Sequence, residues 1–106
     1  MPREEKRVFF NYSETYNAIY SLCNKKGLEK PPTGTVQSIN HDKKTDTYSL
    51  SFIDPIDSST KNANYKTDFI AAALLLSCMG SGIPISKRAQ KSVYIEDEYT
   101  ILLAEQ

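Results

Sequence analysis

The pattern of apolar and polar positions along the chain predicts two helices and several short strands. In the first helical stretch, four residues fall at positions i, i+3, i+4 and i+7 and so share one face of an amphipathic helix: Tyr16, Ile19, Tyr20 and Cys23. Ser13 precedes this stretch and is a suitable N-cap, because its side-chain oxygen can accept a free helix N–H. Gly27 follows Lys25 and Lys26, a sequence typical of a helix C-terminus.

The second helical stretch, residues 69–79, is apolar on all sides. A helix of this kind is usually covered on most of its surface, so the pattern predicts a central helix of the core. Thr67 or Asp68 is the expected N-cap, and the stretch Gly80-Ser81-Gly82-Ile83-Pro84 ends the helix.

Shorter stretches alternate between apolar and polar positions and predict strands. Two of them form a hairpin around a polar loop at 41–46, and two more form a C-terminal hairpin around 96–98. The predicted strands are residues 8–10, 35–40, 47–53, 93–95 and 99–103. Residues 28–34 contain two prolines and predict an extended connector, whereas residues 54–65 are rich in Asp, Ser, Thr and Asn and predict a surface loop.

The order of these elements predicts an α+β fold. Hairpins separated by helices favour two layers, with a mainly antiparallel sheet of four to five strands and two helices on one face, in the order β-α-β-β-α-β-β. The length of 106 residues is suited to a single globular domain, 1–106, and the charged residues 1–6 are expected to form a flexible N-terminal tail.

Composition and charge narrow the classes of function. Thirteen basic and thirteen acidic residues give no net charge, which argues against general binding to polyanions. The apolar run 69–79 is shorter than the roughly twenty residues that span a bilayer, so no membrane partner is expected. The N-terminus lacks an apolar signal segment, and Cys23 and Cys78 are predicted to be reduced and buried. These features favour a cytoplasmic protein.

Catalytic chemistry has little support in the sequence. His41 is the only histidine and stands beside Asp42 in a polar loop, while Asp54 and Asp57 occupy a second loop. These four residues form an active site only if the two loops meet in a cleft. Both cysteines lie at apolar helical positions, where a thiol is usually inert, and the two cysteines and one histidine are too scattered for zinc. We therefore expect no enzyme, no metal and no cofactor.

The best candidate surface follows the second helix. Lys87, Arg88 and Lys91 form a basic segment, and Tyr94 alternates with two apolar neighbours, which predicts that its side chain is exposed. Tyrosine and arginine are enriched in interface cores. The alternative is a solvated basic turn that only complements the helix C-terminus.

The sequence therefore predicts a small non-enzymatic domain that acts by binding a protein partner or a second copy of itself. A homodimer is expected through the edge or the outer face of strand 99–103, which carries few charges and places Leu102 opposite Ile101 and Leu103. The alternative is a nucleic-acid-binding regulator that uses Lys87, Arg88 and Lys91. An enzyme ranks third.

Overall fold

The computed structural model describes residues 2–106, which contain six strands and two helices. In chain order they are β1 (Glu5–Phe10), α1 (Tyr12–Lys26), β2 (Thr35–Asp42), β3 (Thr47–Ile53), β4 (Thr60–Lys66), α2 (Thr67–Gly80), β5 (Gln90–Glu96) and β6 (Tyr99–Glu105). All strand pairs are antiparallel. The predicted α+β class is confirmed, but the strands form two sheets of three strands each rather than one sheet of four to five.

The first sheet has the order β1-β6-β5, and the second sheet has the order β2-β3-β4. The inner faces of both sheets share one core with the helices, in which Leu50 and Phe52 of β3, Leu102 of β6, Ile19 of α1 and Leu74 of α2 are buried. Strands β2 and β5 contact each other where the sheets meet. The molecule is elongated, at 55 × 27 × 21 Å, because the two sheets extend it in one direction.

Helix α1 begins two residues earlier than the sequence predicts. The side chain of Asn11 accepts a hydrogen bond from the N–H of Glu14 (2.8 Å), and the carboxylate of Glu14 accepts one from the N–H of Asn11 (3.0 Å). This reciprocal capping box satisfies two N–H groups at once, so Asn11 is the N-cap and Ser13 lies inside the helix. The predicted end is correct, since Gly27 adopts a left-handed conformation (φ 67°).

The buried face of α1 is rotated relative to the predicted face. The buried residues are Thr15, Ala18, Ile19, Leu22 and Cys23. Tyr20 is 37% exposed, and its ring lies beneath the ammonium group of Lys30. Because a tyrosine can keep its polar end in water, the sequence pattern overstated the burial of Tyr20.

Helix α2 is less fully covered than a helix with an apolar sequence on all sides is expected to be. Ile70, Ala73, Leu74 and Cys78 are buried, but Ala72 is exposed and Met79 is 67% exposed. The helix lies on the inner faces of the sheets, so nothing in residues 2–106 covers its far side.

The N-terminus of α2 also differs from the prediction. Lys66 is the N-cap and makes no side-chain cap bond, whereas Thr67 and Asp68 lie in the first turn. The hydroxyl of Thr67 instead donates to the carboxylate of Asp46 in the β2–β3 turn (2.6 Å). This bond fixes the start of α2 against the hairpin rather than capping the helix.

Strand β4 (Thr60–Lys66) includes residues 60–65 of the segment 54–65, which the sequence predicts as a surface loop. It pairs with β3 along its whole length, from Thr60 opposite Ile53 to Lys66 opposite Thr47. Its composition is poor in β-branched and aromatic residues, so local propensity did not indicate a strand. Only residues 54–59 form the connecting turn.

The positions of β1 and β6 correct two further predictions. Strand β6 lies between β1 and β5, so it offers no free edge. The edge strands are β1 and β5 in the first sheet and β2 and β4 in the second, and because β2 and β5 contact each other where the sheets meet, β1 and β4 are the two outermost strands. Strand β1 begins at Glu5, so Glu5 and Lys6 belong to the sheet and not to the predicted tail 1–6. The cysteines Cys23 and Cys78 are free and buried, as predicted. Within residues 2–106, neither helix is long and apolar enough to cross a membrane.

Candidate functional site

The candidate site is the face of the first sheet that is turned away from the helices. Val8, Val93 and Leu102 point into the core, and because side chains alternate along a strand their neighbours point outward. Five of these neighbours are apolar or aromatic and form what we call the outer apolar face: Phe9, Tyr94, Tyr99, Ile101 and Leu103. The strand register places Phe9, Ile101 and Tyr94 side by side in one row across β1, β6 and β5.

The aromatic rings on this face are packed against one another but remain open to solvent. Phe9 is 51% exposed and Tyr99 is 44% exposed, and their rings meet edge to face at 5.8 Å between centroids. Ile101 has no exposed surface although it lies on the open face, because it sits between its cross-strand neighbours Phe9 and Tyr94. The centre of the face is therefore already ordered and desolvated before any partner binds.

Charged residues border the outer apolar face. Arg7 and Glu5 lie on β1 and form an ion pair at 3.2 Å, and Glu105 at the end of β6 accepts a bond from Arg3 at 3.3 Å. The acidic turn 96–98 lies at the other end of the β5–β6 hairpin. An apolar centre with a charged rim has the composition of a protein interface.

The second sheet also has an open face, but its chemistry is different. The residues that point outward are mainly serine and asparagine and form what we call the outer polar face: Ser38, Asn40, Ser49, Ser51, Asn62 and Asn64. The hydroxyl of Ser49 donates to the amide oxygen of Asn64 (2.7 Å). A polar outer face is the usual state of an antiparallel sheet covered on one side, so the apolar face of the first sheet is the exception.

The structure divides the predicted binding residues into two groups. Lys87 and Arg88 lie in an exposed turn before β5, and the ammonium of Lys91 donates to the carbonyl of Lys87 (3.1 Å). Lys91 and Tyr94 are three residues apart on β5, so their side chains lie on opposite faces. Tyr94 therefore does not join the basic segment.

Instead, Tyr94 lies with Phe9 and Ile101 on the outer apolar face. The alternation of Tyr99, Ile101 and Leu103 was visible in the sequence, and it indicated that these residues share a face. The sequence did not indicate that β1 pairs beside β6 and brings Phe9 into the same row.

The four residues considered for catalysis do not converge. His41 and Asp42 end β2 and precede β3, whereas Asp54 and Asp57 follow β3. The two loops therefore lie at opposite ends of β3, roughly 20 Å apart for a seven-residue strand. The structure forms no cleft from these two loops.

His41 has a structural environment of its own. Its Nε2 lies 3.2 Å from the carboxylate of Asp46, and its ring stacks on Tyr48 at 4.4 Å between centroids. Hydrogen bonds from Thr67 and His41 lower the pKa of the Asp46 carboxyl. The hydroxyl of Thr67 lies 2.6 Å from the carboxylate of Asp46 and 3.5 Å from Nε2 of His41, so its shorter bond is the one it donates to Asp46.

The remaining chemistry-bearing groups do not form a site either. Burial raises the pKa of the Cys23 and Cys78 thiols, which disfavours the nucleophilic thiolate. Among residues 2–106, no group of His, Cys, Asp and Glu side chains is arranged to hold a metal ion. The chain matches no family model, and neither a curated protein nor a solved structure matches it.

Proposed function

We propose that the protein acts by binding another protein through the outer apolar face, without catalysis of its own, and that it does so in the cytoplasm. The observation that carries this proposal is the row Phe9, Ile101 and Tyr94, together with Tyr99, on a sheet face turned away from the core. Exposed contiguous apolar surface with a polar rim is typical of protein interaction sites.

The area available supports a measurable affinity. An aromatic side chain buries roughly 150–250 Å² when fully covered, and Phe9 and Tyr99 each retain about half of this exposure. At about 25 cal/mol per Å², covering each ring contributes about 2–3 kcal/mol before the entropic cost of association. Two such anchors side by side are sufficient for the centre of a modest interface.

Site-specific photo-crosslinking in cells tests this proposal. The photoreactive amino acid p-benzoylphenylalanine replaces Phe9 in one variant and Tyr99 in another, and a third variant carries it at Ile56. Ile56 is a suitable control because it is apolar, 94% exposed and located in the β3–β4 turn, outside the outer apolar face.

We expect the same protein adduct at positions 9 and 99, none at position 56, and loss of the adduct when Tyr94→Asp is added. The substitution places a charge in the central row without touching the helix-covered core. Adducts that are equal at all three positions, or absent from 9 and 99, refute the proposal.

Nucleic-acid binding is the second candidate, and it depends on the exposed turn formed by Lys87 and Arg88. Two or three phosphate contacts give weak binding that falls steeply with salt, about 40-fold for three contacts between 50 and 200 mM salt. Fluorescence polarisation with generic DNA and RNA tests this candidate, and no binding at low salt removes it.

A further inference from the structure

Strand β4 is the outermost strand of the second sheet, and its hydrogen bonds show which of its residues direct their backbone N–H and C=O groups toward β3. The N–H of Thr67 donates to the carbonyl of Asp46 (3.1 Å), and the carbonyl of Ser59 accepts from the N–H of Asp54 (2.9 Å). Odd-numbered residues from 59 to 67 therefore direct their backbone groups toward β3. Because the direction alternates along a strand, Asn62 and Asn64 direct their N–H and C=O groups away from β3.

The sequence of β4 is nearly symmetric about its centre. Asn62-Ala63-Asn64 reads the same in both directions, with Lys61 on one side and Tyr65 on the other. A second copy of the strand can lie antiparallel beside the first with a two-fold axis at Ala63. Asn62 then faces the partner's Asn64, and Lys61 faces the partner's Tyr65.

This arrangement agrees with the direction of the backbone N–H and C=O groups of β4. The two asparagines, whose backbone groups point outward, become the hydrogen-bonded pairs across the axis. Ala63 faces the partner's Ala63 as a non-hydrogen-bonded pair, in which the Cα atoms approach to about 4.5 Å and small side chains fit best. It is also the register that pairs all seven residues of β4, and it places no like charges opposite each other.

The side chain of Lys61 is free to reach a partner, whereas the ring of Tyr65 is held in place by stacking on Phe69 (5.3 Å between centroids). Lys61 is exposed over 48% of its side chain and lies 3.8 Å from Asp54, a distant pair that leaves the ammonium free to move over an aromatic ring. A groove of about 760 Å³ runs beside β4 and is bordered by Leu28, Tyr65 and Phe69. The groove provides space on the inner side of the strand for the partner's Lys61 and Tyr65.

The other outermost strand is less suited to pairing. Strand β1 carries Glu5, Lys6 and Arg7 in succession, and charges of this kind keep a strand edge from pairing with another chain. In addition, Lys6 donates to the carbonyl of Pro84 (2.7 Å). The middle three residues of β4 carry no charge.

We propose that two copies of this chain associate through β4, antiparallel and with the two-fold axis at Ala63. The β2-β3-β4 sheets of the two copies then form one continuous six-stranded sheet, β2-β3-β4-β4-β3-β2, and their outer polar faces become one surface. This site is separate from the outer apolar face, which stays available on each copy.

Single-cysteine crosslinking tests the register directly. Ala63→Cys places two thiols across the axis, within the Cα separation of 4.4–6.8 Å that a disulfide requires. The matched variants Lys61→Cys and Tyr65→Cys place identical thiols roughly 13 Å apart across the axis, beyond reach. The native Cys23 and Cys78 are buried and serve as an internal background.

Under mild oxidation we expect Ala63→Cys to form a disulfide-linked dimer, and Lys61→Cys and Tyr65→Cys to form none alone. A mixture of those two variants is expected to crosslink, because Lys61 faces the partner's Tyr65. Equal crosslinking of all three single variants, or none for Ala63→Cys, overturns the proposal.

Sedimentation tests the association without a crosslink. The wild-type protein is expected to be dimeric at high micromolar concentration, as is Asn64→Ala. Asn64→Pro removes an N–H that points away from β3, so it is expected to yield a folded monomer with unchanged circular dichroism. A monomeric wild type, or a dimer that persists in Asn64→Pro and is lost in Phe9→Ser, refutes association through β4.

Discussion

The substitution Tyr48→Phe isolates one hydrogen bond that joins the two sheets. Tyr48 lies on β3 in the second sheet, has no exposed surface, and donates from its hydroxyl to the carbonyl of Val93 on β5 in the first sheet (3.1 Å). The substitution removes a single oxygen atom and leaves the ring in place. Any change in stability therefore reports the hydroxyl and not the packing of the ring.

The expected effect has opposite signs at neutral and alkaline pH. At neutral pH, loss of the bond destabilises the protein by about 1 kcal/mol, which lowers the melting temperature by about 4–8 °C. Burial, with a smaller contribution from the charge of Asp46, raises the pKa of Tyr48 from 10.0 to about 12. The folded state thus resists ionisation, and this contribution is complete below pH 10 and is lost as the pH rises through about 12.

The alkaline loss amounts to about 3 kcal/mol for a pKa difference of this size, at about 1.4 kcal/mol per unit. The wild-type protein experiences this loss, whereas Tyr48→Phe does not. We therefore expect the two stability curves to cross between pH 10 and pH 12, with the variant more stable beyond the crossing. Tyr65, whose pKa burial also raises to about 12, is present in both proteins and cancels in the comparison.

Urea unfolding followed by circular dichroism, at neutral pH and at steps up to about pH 11.5, measures both effects. Tyr94→Phe is the matched control, since it removes the same atom from a half-buried ring on the outer apolar face, and it is expected to change stability at neutral pH by less than about 0.5 kcal/mol. If Tyr48→Phe is as stable as the wild type at neutral pH, and the difference stays constant with pH, the hydroxyl does not join the sheets.

Three further predictions concern local features of the fold, each measured by urea unfolding. Asn11→Ala removes the capping box of α1 and is expected to cost about 1 kcal/mol; an unchanged midpoint contradicts the cap. Gly34→Ala is expected to cost about 3 kcal/mol, because φ is +141° and a Cβ atom meets the carbonyl oxygen of Ile53 at 2.5 Å, whereas the control Gly82→Ala has open space and costs about 1 kcal/mol. Asp46→Asn is expected to flatten the acid limb of the stability profile, because the lowered pKa of Asp46 adds stability above pH 3.8 that is lost as the pH falls through its folded-state pKa; identical acid limbs refute this.

The elements that the sequence predicts correctly depend on contacts close in the chain. The C-terminus of α1 follows from Gly27, and the two hairpins follow from alternating strands on either side of a polar turn. The N-cap of α1 is also a local feature, because Glu14 follows Asn11 by three residues, which is the spacing of a capping box.

The elements that the sequence did not predict depend on contacts between distant segments. Strand β4 has weak β-propensity and exists because β3 supplies a complete partner along its length. The central position of β6 follows from its pairing with β1, which nothing near residues 99–105 indicates. The pairing of β4 with β3 and that of β1 with β6 are therefore visible only in the three-dimensional structure.

The candidate site also combines features that depend on near neighbours in the sequence with features that depend on pairing between distant strands. Alternation on β5 indicated that Tyr94 points away from the core, and the odd spacing between Lys91 and Tyr94 was sufficient to separate them onto two faces. Phe9 became part of the site only through the β1–β6 register. No local pattern in the sequence indicates which residues of another strand lie beside Tyr94.

The pairing of β1 with β6 has a consequence for the order of folding. Glu5 faces Glu105, so β1 pairs with a strand, β6, that lies about one hundred residues later in the sequence. Contacts this distant in sequence slow folding, because the entropy of closing the loop is lost before the strands pair. The hairpin β2–β3 and helix α1 involve near neighbours and can form first. In this order, Val8, Phe9 and Phe10 remain unpaired until late, so binding of a chaperone to the newly made chain is expected to involve β1.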